Sequence, residues 1–196
     1  MTRDNKPGIE VISKGELVTL RGHLESDRAP YERWQTQGEW LHFDAPWEER
    51  SSEEKQEKDE GKKRAEAETD SRPRKMAVIA TADNKSLGWV NRYGQGDNPF
   101  VWFVGIDICE DDFLNRGYGT EALRLWVDYL FSNSEIHKLC LDTWSFNPRM
   151  MRVAEKVGFL HESSQREMRL WQGEWLDLEH FGMLREEWKT KKQRQL

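Results

Sequence analysis

Residues 115–123 read NRGYGTEAL, from Asn115 to Leu123, with two glycines one residue apart just ahead of a stretch that has the composition of a helix. A glycine lacks Cβ, so it admits unusual backbone angles and lets another group approach the chain closely. At a helix start the first amides have no intrahelical acceptor and the helix dipole presents its positive end, so the approaching group suited to this place is an anion. Arg116 adds a positive charge to the same turn.

The flanks decide how such a cradle is held. Before it, Phe100 to Cys109 is rich in aromatic and β-branched residues and reads as a strand. After it, Ala122, Leu125, Trp126, Tyr129 and Leu130 repeat at helical spacing, which predicts a helix over Thr120 to Phe131. Lys138 to Trp144 reads as the next strand. NPRMMRVAEKVGF follows, with Asn147 at the N-cap, Pro148 in the first turn and Gly158 past the end of a second helix. Upstream, Met76 to Thr81 and Leu87 to Arg92 form a hairpin around a turn at Asp83 to Lys85. A first strand is expected over Leu17 to Arg21, with a polar helix start near Ser26 and Asp27. Two closing strands, Arg166 to Trp171 and Leu176 to Met183, flank a turn at Gln172 and Gly173. The pattern is mixed α and β, without an internal repeat.

Composition bounds the function. The chain has 196 residues, and 30 basic against 36 acidic side chains give a formal charge of −6. That balance argues against general nucleic-acid or membrane-surface binding and suits a cationic substrate. Two cysteines, Cys109 and Cys140, form neither a disulfide framework nor a metal-ligand cluster, so no metal is expected. No apolar run approaches the roughly 18 residues of a membrane span, and MTRDNKPGIE does not read as a signal peptide, so a cytoplasmic location is expected. Residues 48–75 carry 10 acids and 9 bases in 28 positions and read as a solvated, charged insertion. Residues 189–196 read as a basic C-terminal tail. The ten tryptophans are spread along the chain, mostly at core or half-buried strand positions, and the segment WLHFDAPWEE crowds Trp40, His42, Phe43, Asp44 and Trp47 around Pro46.

Three phosphate sites compete for the glycines. A P-loop is excluded because no Gly-Lys-Ser/Thr follows them. A dinucleotide fingerprint is matched by Gly117, Gly119 and Ala122, with Asp142 on the next strand. Against it, the acidic segment Glu110 to Arg116 separates the glycines from their strand, and the preceding strands form an antiparallel meander. The third reading is a resemblance. LNRGYGTEAL resembles the cofactor motif of the GNAT N-acetyltransferases, above all the branch of ribosomal-protein alanine acetyltransferases (the RimJ and RimL type). NPRMMRVAEKVGF, which begins 28 residues after Gly119, is similar to that family's second motif, and LWQGEWLDLEHFGMLREEW looks like the closing hairpin of the same branch.

The resemblance covers residues 15–188 as one domain and implies an α/β (α+β) GNAT fold: a central mixed, mostly antiparallel sheet, splayed between its two middle strands and flanked by helices. It implies acetyl-CoA as co-substrate and a primary amine, a protein N-terminus or a small molecule, as acceptor, attacked directly in a ternary complex. Asn115 and the amides of Arg116, Gly117, Tyr118, Gly119 and Thr120 would hold the pyrophosphate. Ile108 and Cys109 would pair with the pantetheine arm, and Asn147 would bond to the pantetheine or the acetyl end while serving as an N-cap. Asp107 is the expected base, with Asp44 as the runner-up. The acceptor site is expected at Trp40, His42, Phe43 and Trp47, together with Trp175 and Asp177 of the closing hairpin. The resemblance is compatible with a homodimer. One departure stands out: many relatives place a tyrosine acid seven residues after the motif asparagine, where this chain has Ala154. That opens a second reading, a noncatalytic CoA-binding or sensing protein.

Overall fold

The computed structural model describes residues 9–47, 73–94 and 97–194. The charged block expected at 48–75 lies outside the described residues except for its last three positions.

Eight strands form one sheet: β1 (Val11–Lys14), β2 (Thr19–Arg21), β3 (Met76–Ala80), β4 (Ser86–Tyr93), β5 (Val101–Ile108), β6 (Lys138–Trp144), β7 (Leu160–Trp171) and β8 (Glu174–Leu184). Their order across the sheet is β1-β2-β3-β4-β5-β6-β8-β7. Every neighbouring pair is antiparallel except β5 and β6, which run parallel. Among the described residues, four helices flank the sheet: α1 (Arg28–Trp34), α2 (Tyr118–Ser132), α3 (Pro148–Val157) and α4 (Arg185–Gln193).

Strand alternation sorts the side chains onto two faces. In β6, Leu139, Leu141 and Thr143 are buried, while Lys138, Cys140, Asp142 and Trp144 turn the other way. The buried set packs with Val104 of β5 and Met183 of β8 against Ala122, Leu123, Trp126, Leu130 and Phe131 of α2 and against Ala154 of α3. Trp126 is fully buried, and its Nε1–H donates to the Asn91 carbonyl at 2.9 Å, so the indole fills volume without stranding its polar atom. The C-terminus of α2 is closed by Arg185, whose guanidinium donates to the carbonyls of Phe131, Ser134 and Ile136 at 2.7–2.8 Å.

The expected strands and helices lie where the sequence puts them, with three additions. β1 precedes the first expected strand. β7 begins at Leu160, well before the expected closing strand from Arg166, and it carries two register shifts and a left-handed Glu167 (φ 55°). Its residues are nearly all exposed, so no burial alternation marks it in the sequence. The expected basic tail is helical over residues 189–193, because α4 anchors Trp188 against Phe131 (ring centroids 5.2 Å apart) and against Asp128 Oδ1 (2.5 Å).

Candidate active site

The parallel pair β5/β6 holds together over only three positions, Val101↔Lys138, Trp102↔Leu139 and Phe103↔Cys140. Beyond these, β5 stays on β4 as far as Ile108, and β6 stays on β8 as far as Trp144. The two strands therefore part, leaving a wedge-shaped gap in the middle of the sheet. The Cys109 amide donates to the Leu87 carbonyl at 2.7 Å, and peptide groups alternate in direction along an antiparallel strand. Ile108 and Ile106 thus direct their peptide groups into the gap. Cys109, expected beside them, does not: its amide is taken by β4, and its side chain is buried with Trp34 and Trp40.

At the open end of the gap stands the start of α2. Gly117 is its N-cap in the left-handed region (φ 92°), following a left-handed Asn115 (φ 58°), and no side chain caps the helix. The first amide bonded within the helix is that of Glu121, to the Gly117 carbonyl at 3.0 Å. Among the described residues, the five amides from Arg116 to Thr120 donate to nothing, so they form a cluster of unclaimed donors at a positive helix end. A Cβ at Gly119 would make only ordinary contacts, 3.5 Å to Ile108 and 3.9 Å to Ile106. The chain itself therefore does not require glycine there, which is the pattern left by a site shaped for a ligand. Glu121, unmarked in the sequence reading, clamps the β1–β2 turn by accepting from the amides of Glu16, Leu17 and Val18 at 2.8–2.9 Å. That clamp sets Leu17 against Gly117 and forms one wall of the cradle.

Across the gap, Asn147 caps α3: its Oδ1 accepts from Met150 N–H at 3.1 Å, which leaves the amide Nδ2 group for a ligand. Ala154 is fully buried in the core against α2, so no acid stands at that position.

The face away from α2 carries the remaining groups. Asp107 is half-buried on β5 opposite Trp89. Trp89 is wrapped by Tyr31, Trp34 and Trp40, so Trp40 belongs to a buried aromatic cluster that walls this end of the face. Phe43 stacks on Phe146 at 6.0 Å, and Trp47 meets Trp144 at 4.9 Å and Trp171 at 5.5 Å. These rings form an aromatic mouth beside the end of β6, with exposed His42 and Asp44 on the same segment. Trp144, Phe146 and Trp171 were missed in the sequence, although the phase of β6 that exposes Cys140 and Asp142 also marks Trp144.

Two expected acceptor residues are not brought together with that mouth. Trp175 pairs with Leu170, whereas Trp171 pairs with Glu174, so the two tryptophans point to opposite faces and Trp175 is 58% exposed. Asp177 is used structurally: its Oδ1 accepts from Glu167 N–H at 2.7 Å, where β7 bulges, and its own amide donates to Ser145 Oγ at 3.1 Å. The ring faces of the mouth that would attract a cation are also taken. The Arg169 guanidinium lies 4.4 Å over Trp47, and that of Arg149 lies 4.3 Å over Phe43 while pairing with Glu39 at 2.9 Å.

One depression opens on this face where β5 and β6 separate, lined by Phe103, Cys140, Asp142, Ser163 and His180 among others. Burial pushes the Cys140 thiol up, Glu162 and Asp142 push it further, and Lys138 acts in the opposite sense. A half-buried thiol shifted up in this way is a poorer nucleophile. Among the described residues, no group of three or more His, Cys, Asp or Glu is arranged to hold a metal ion.

Comparison with known proteins bears on the same elements. Residues 18–160 match the model of the acetyltransferase (GNAT) domain. A prophage-derived, uncharacterised N-acetyltransferase of Bacillus subtilis (strain 168) is 23% identical over 112 residues, which are 56% of this chain and 62% of that protein. The chain spans about half to two thirds of the length of the first curated relatives it matches. Among solved structures, spermidine N-acetyltransferase from Vibrio cholerae, in complex with CoA and spermine, superposes with a TM-score of 0.70 at 17% identity over 89% of this chain and 99% of the other. The ribosomal L7/L12 α-N-protein acetyltransferase RimL, in complex with CoA, gives 0.69 at 16% identity over 89% and 98%. With the family model covering the cradle, the splayed strands and α3, the chain belongs to the GNAT acetyltransferase family.

Proposed function

We propose that the protein transfers the acetyl group of acetyl-CoA to a primary amine by direct attack in a ternary complex. The observation that carries this reading is the row of unclaimed amides from Arg116 to Thr120 at the open end of the β5/β6 gap. The pyrophosphate lies on these amides, and the pantetheine arm runs down the gap beside the peptide groups of Ile108 and Ile106. The acyl end then points to the vertex where the two strands join. Asn147 uses Nδ2 on the arm while Oδ1 keeps the helix cap. Direct transfer is favoured over an acyl-enzyme because the surroundings of Cys140, the thiol at the vertex, shift its titration up and so disfavour the thiolate.

The acceptor enters from the opposite face, past the mouth of Phe43, Trp47, Trp144 and Trp171. Arg169 and Arg149 already occupy the ring faces that would attract a cation, and a polyamine would meet their charges. A single-amine acceptor such as a protein N-terminus fits this mouth better. Asp107 and Asp44 are two carboxylates on this side that orient it. Calorimetric titration with acetyl-CoA, followed by thiol release with N-terminal peptides, spermidine and an aminoglycoside, tests the reading. The expected result is acetyl-CoA binding with turnover strongest on a peptide. Binding with no turnover on any amine would instead support a noncatalytic CoA sensor, the reading that buried Ala154 favours.

A further inference from the structure

On β6, Asp142 is the second residue after the last β5/β6 pair, Phe103↔Cys140, and it turns to the face away from α2. His180 lies directly across on β8, and its Nδ1 is 2.8 Å from Asp142 Oδ1. Both side chains are 22% exposed and line the depression at the vertex of the gap together with Phe103 of β5. The carboxylate fixes the ring: with Oδ1 accepting, Nδ1 carries the proton and Nε2 is left with its lone pair. Nε2 is closed off from water and has no hydrogen-bond partner among the described residues. A buried imidazole nitrogen without a partner, backed by a carboxylate, is the arrangement of a base waiting for a donor.

We propose that His180, positioned by Asp142, is the general base of the transfer. The assignment rests on the acetyl-transfer reading, which brings the thioester to this vertex. As the acceptor nitrogen forms its C–N bond to the thioester carbonyl carbon, its N–H proton moves to His180 Nε2. The C–S bond breaks with its electron pair on sulfur, and the imidazolium returns the proton to the departing thiolate. One group thus serves as base and then as acid, which accounts for a working site with alanine at position 154. Imidazole as a class titrates closer to neutrality than a carboxylate does, and it suits this shuttle better than Asp107 or Asp44. The ionisable neighbours are Asp142, Cys140 and Tyr93, with the Lys138–Glu162 pair at the rim. Partial burial, with the nearby Asp142, raises both the Tyr93 phenol and the Cys140 thiol, so neither brings a charge to the ring, and the charge facing it is the Asp142 carboxylate.

The test uses the full chain and the acceptor that the wild type acetylates best. His180→Gln is expected to lower kcat about 100-fold or more, with acetyl-CoA affinity within about twofold by calorimetry. Asp142→Asn is expected to move the acid limb of the kcat/KM profile to lower pH, because the carboxylate stabilises the imidazolium. A merely structural pair would leave that limb in place. Wild-type turnover in His180→Gln, or an unmoved acid limb in Asp142→Asn, overturns the assignment while acetyl transfer stands. If His180→Gln does not fold, the Asp142→Asn profile decides alone. A wild type that releases no thiol with any acceptor overturns acetyl transfer and this assignment with it.

Discussion

The two faces of the sheet are made by the same strands and carry opposite chemistry. Toward α2 the strands present Val104, Leu139, Leu141 and Met183, closed by Trp126 and Phe131 with hardly a polar atom left over. Away from α2 the alternate positions present Asp107, Cys140, Asp142 and Trp144, beside the aromatic rings of the mouth. One face is sealed so that the sheet holds its shape, and the other, among the described residues, is left open where two of its strands part. The difference teaches where a substitution should register: as stability on the sealed face, and as binding or rate on the open one.

The largest effect should come from breaking the sealed face. Trp126→Ala removes a fully buried indole and is expected to destabilise the fold toward the upper end of about 3–5 kcal/mol in chemical denaturation. A loss under about 1 kcal/mol would mean that the face is not closed as described. Next is the buried pair on the β2 side, where Arg21 NH1 and NH2 each lie 2.7 Å from the Asp27 carboxylate with both side chains almost fully enclosed. Burial raises the Asp27 carboxyl, but hydrogen bonds from Arg21 and from the Leu24 amide more than offset it, and the group titrates below its ordinary value. Its contribution is therefore present above the unfolded carboxyl value of about 3.9 and is lost as pH falls through the lower folded value. Asp27→Asn should cost about 3 kcal/mol near neutrality, since it leaves the Arg21 charge buried. It should also flatten the acid arm of stability against pH, and an unchanged acid arm would refute the pairing.

Two substitutions around the gap should sharpen the contrast by sparing stability. Gly119→Val adds a branched side chain where the cradle must admit phosphate. Acetyl-CoA binding should weaken at least tenfold, about 1.4 kcal/mol, with melting little changed, because the first Cβ contacts are ordinary. Retained affinity by calorimetry would remove the cradle, and loss of NAD(H) binding in its place would revive the dinucleotide reading. The smallest effect belongs to the mouth. Trp47→Ala should raise the acceptor KM several-fold and leave the acetyl-CoA KM alone, as a contact on one substrate does. Equal effects on both would take Trp47 out of the acceptor site.

Much of the sealed face is legible in the sequence. The helical spacing of Ala122, Trp126 and Leu130 and the alternation of Leu139 and Leu141 name both the elements and their buried sides. The Asn147 cap, Pro148 and the left-handed Gly158 (φ 112°) bound α3 as local rules require. The open face is read less well. Trp175 and Asp177 lie on the expected hairpin, but a bulge in β7 and the strand phase turn one away from the mouth and engage the other in the bulge.

By itself the sequence determined which segments are strands and helices, which side of each is apolar, and that a donor-rich turn precedes α2. All of these depend on hydrogen bonding and periodicity within a few neighbouring residues. Only the tertiary structure decided that β5 and β6 part after three paired positions. It alone set Arg21 on Asp27, Glu121 on the β1–β2 turn, and His180 beside Asp142 across 38 residues of chain. Those meetings depend on strand order and cross-strand register, which follow from how the whole apolar surface is buried at once, and no local pattern in the chain encodes them.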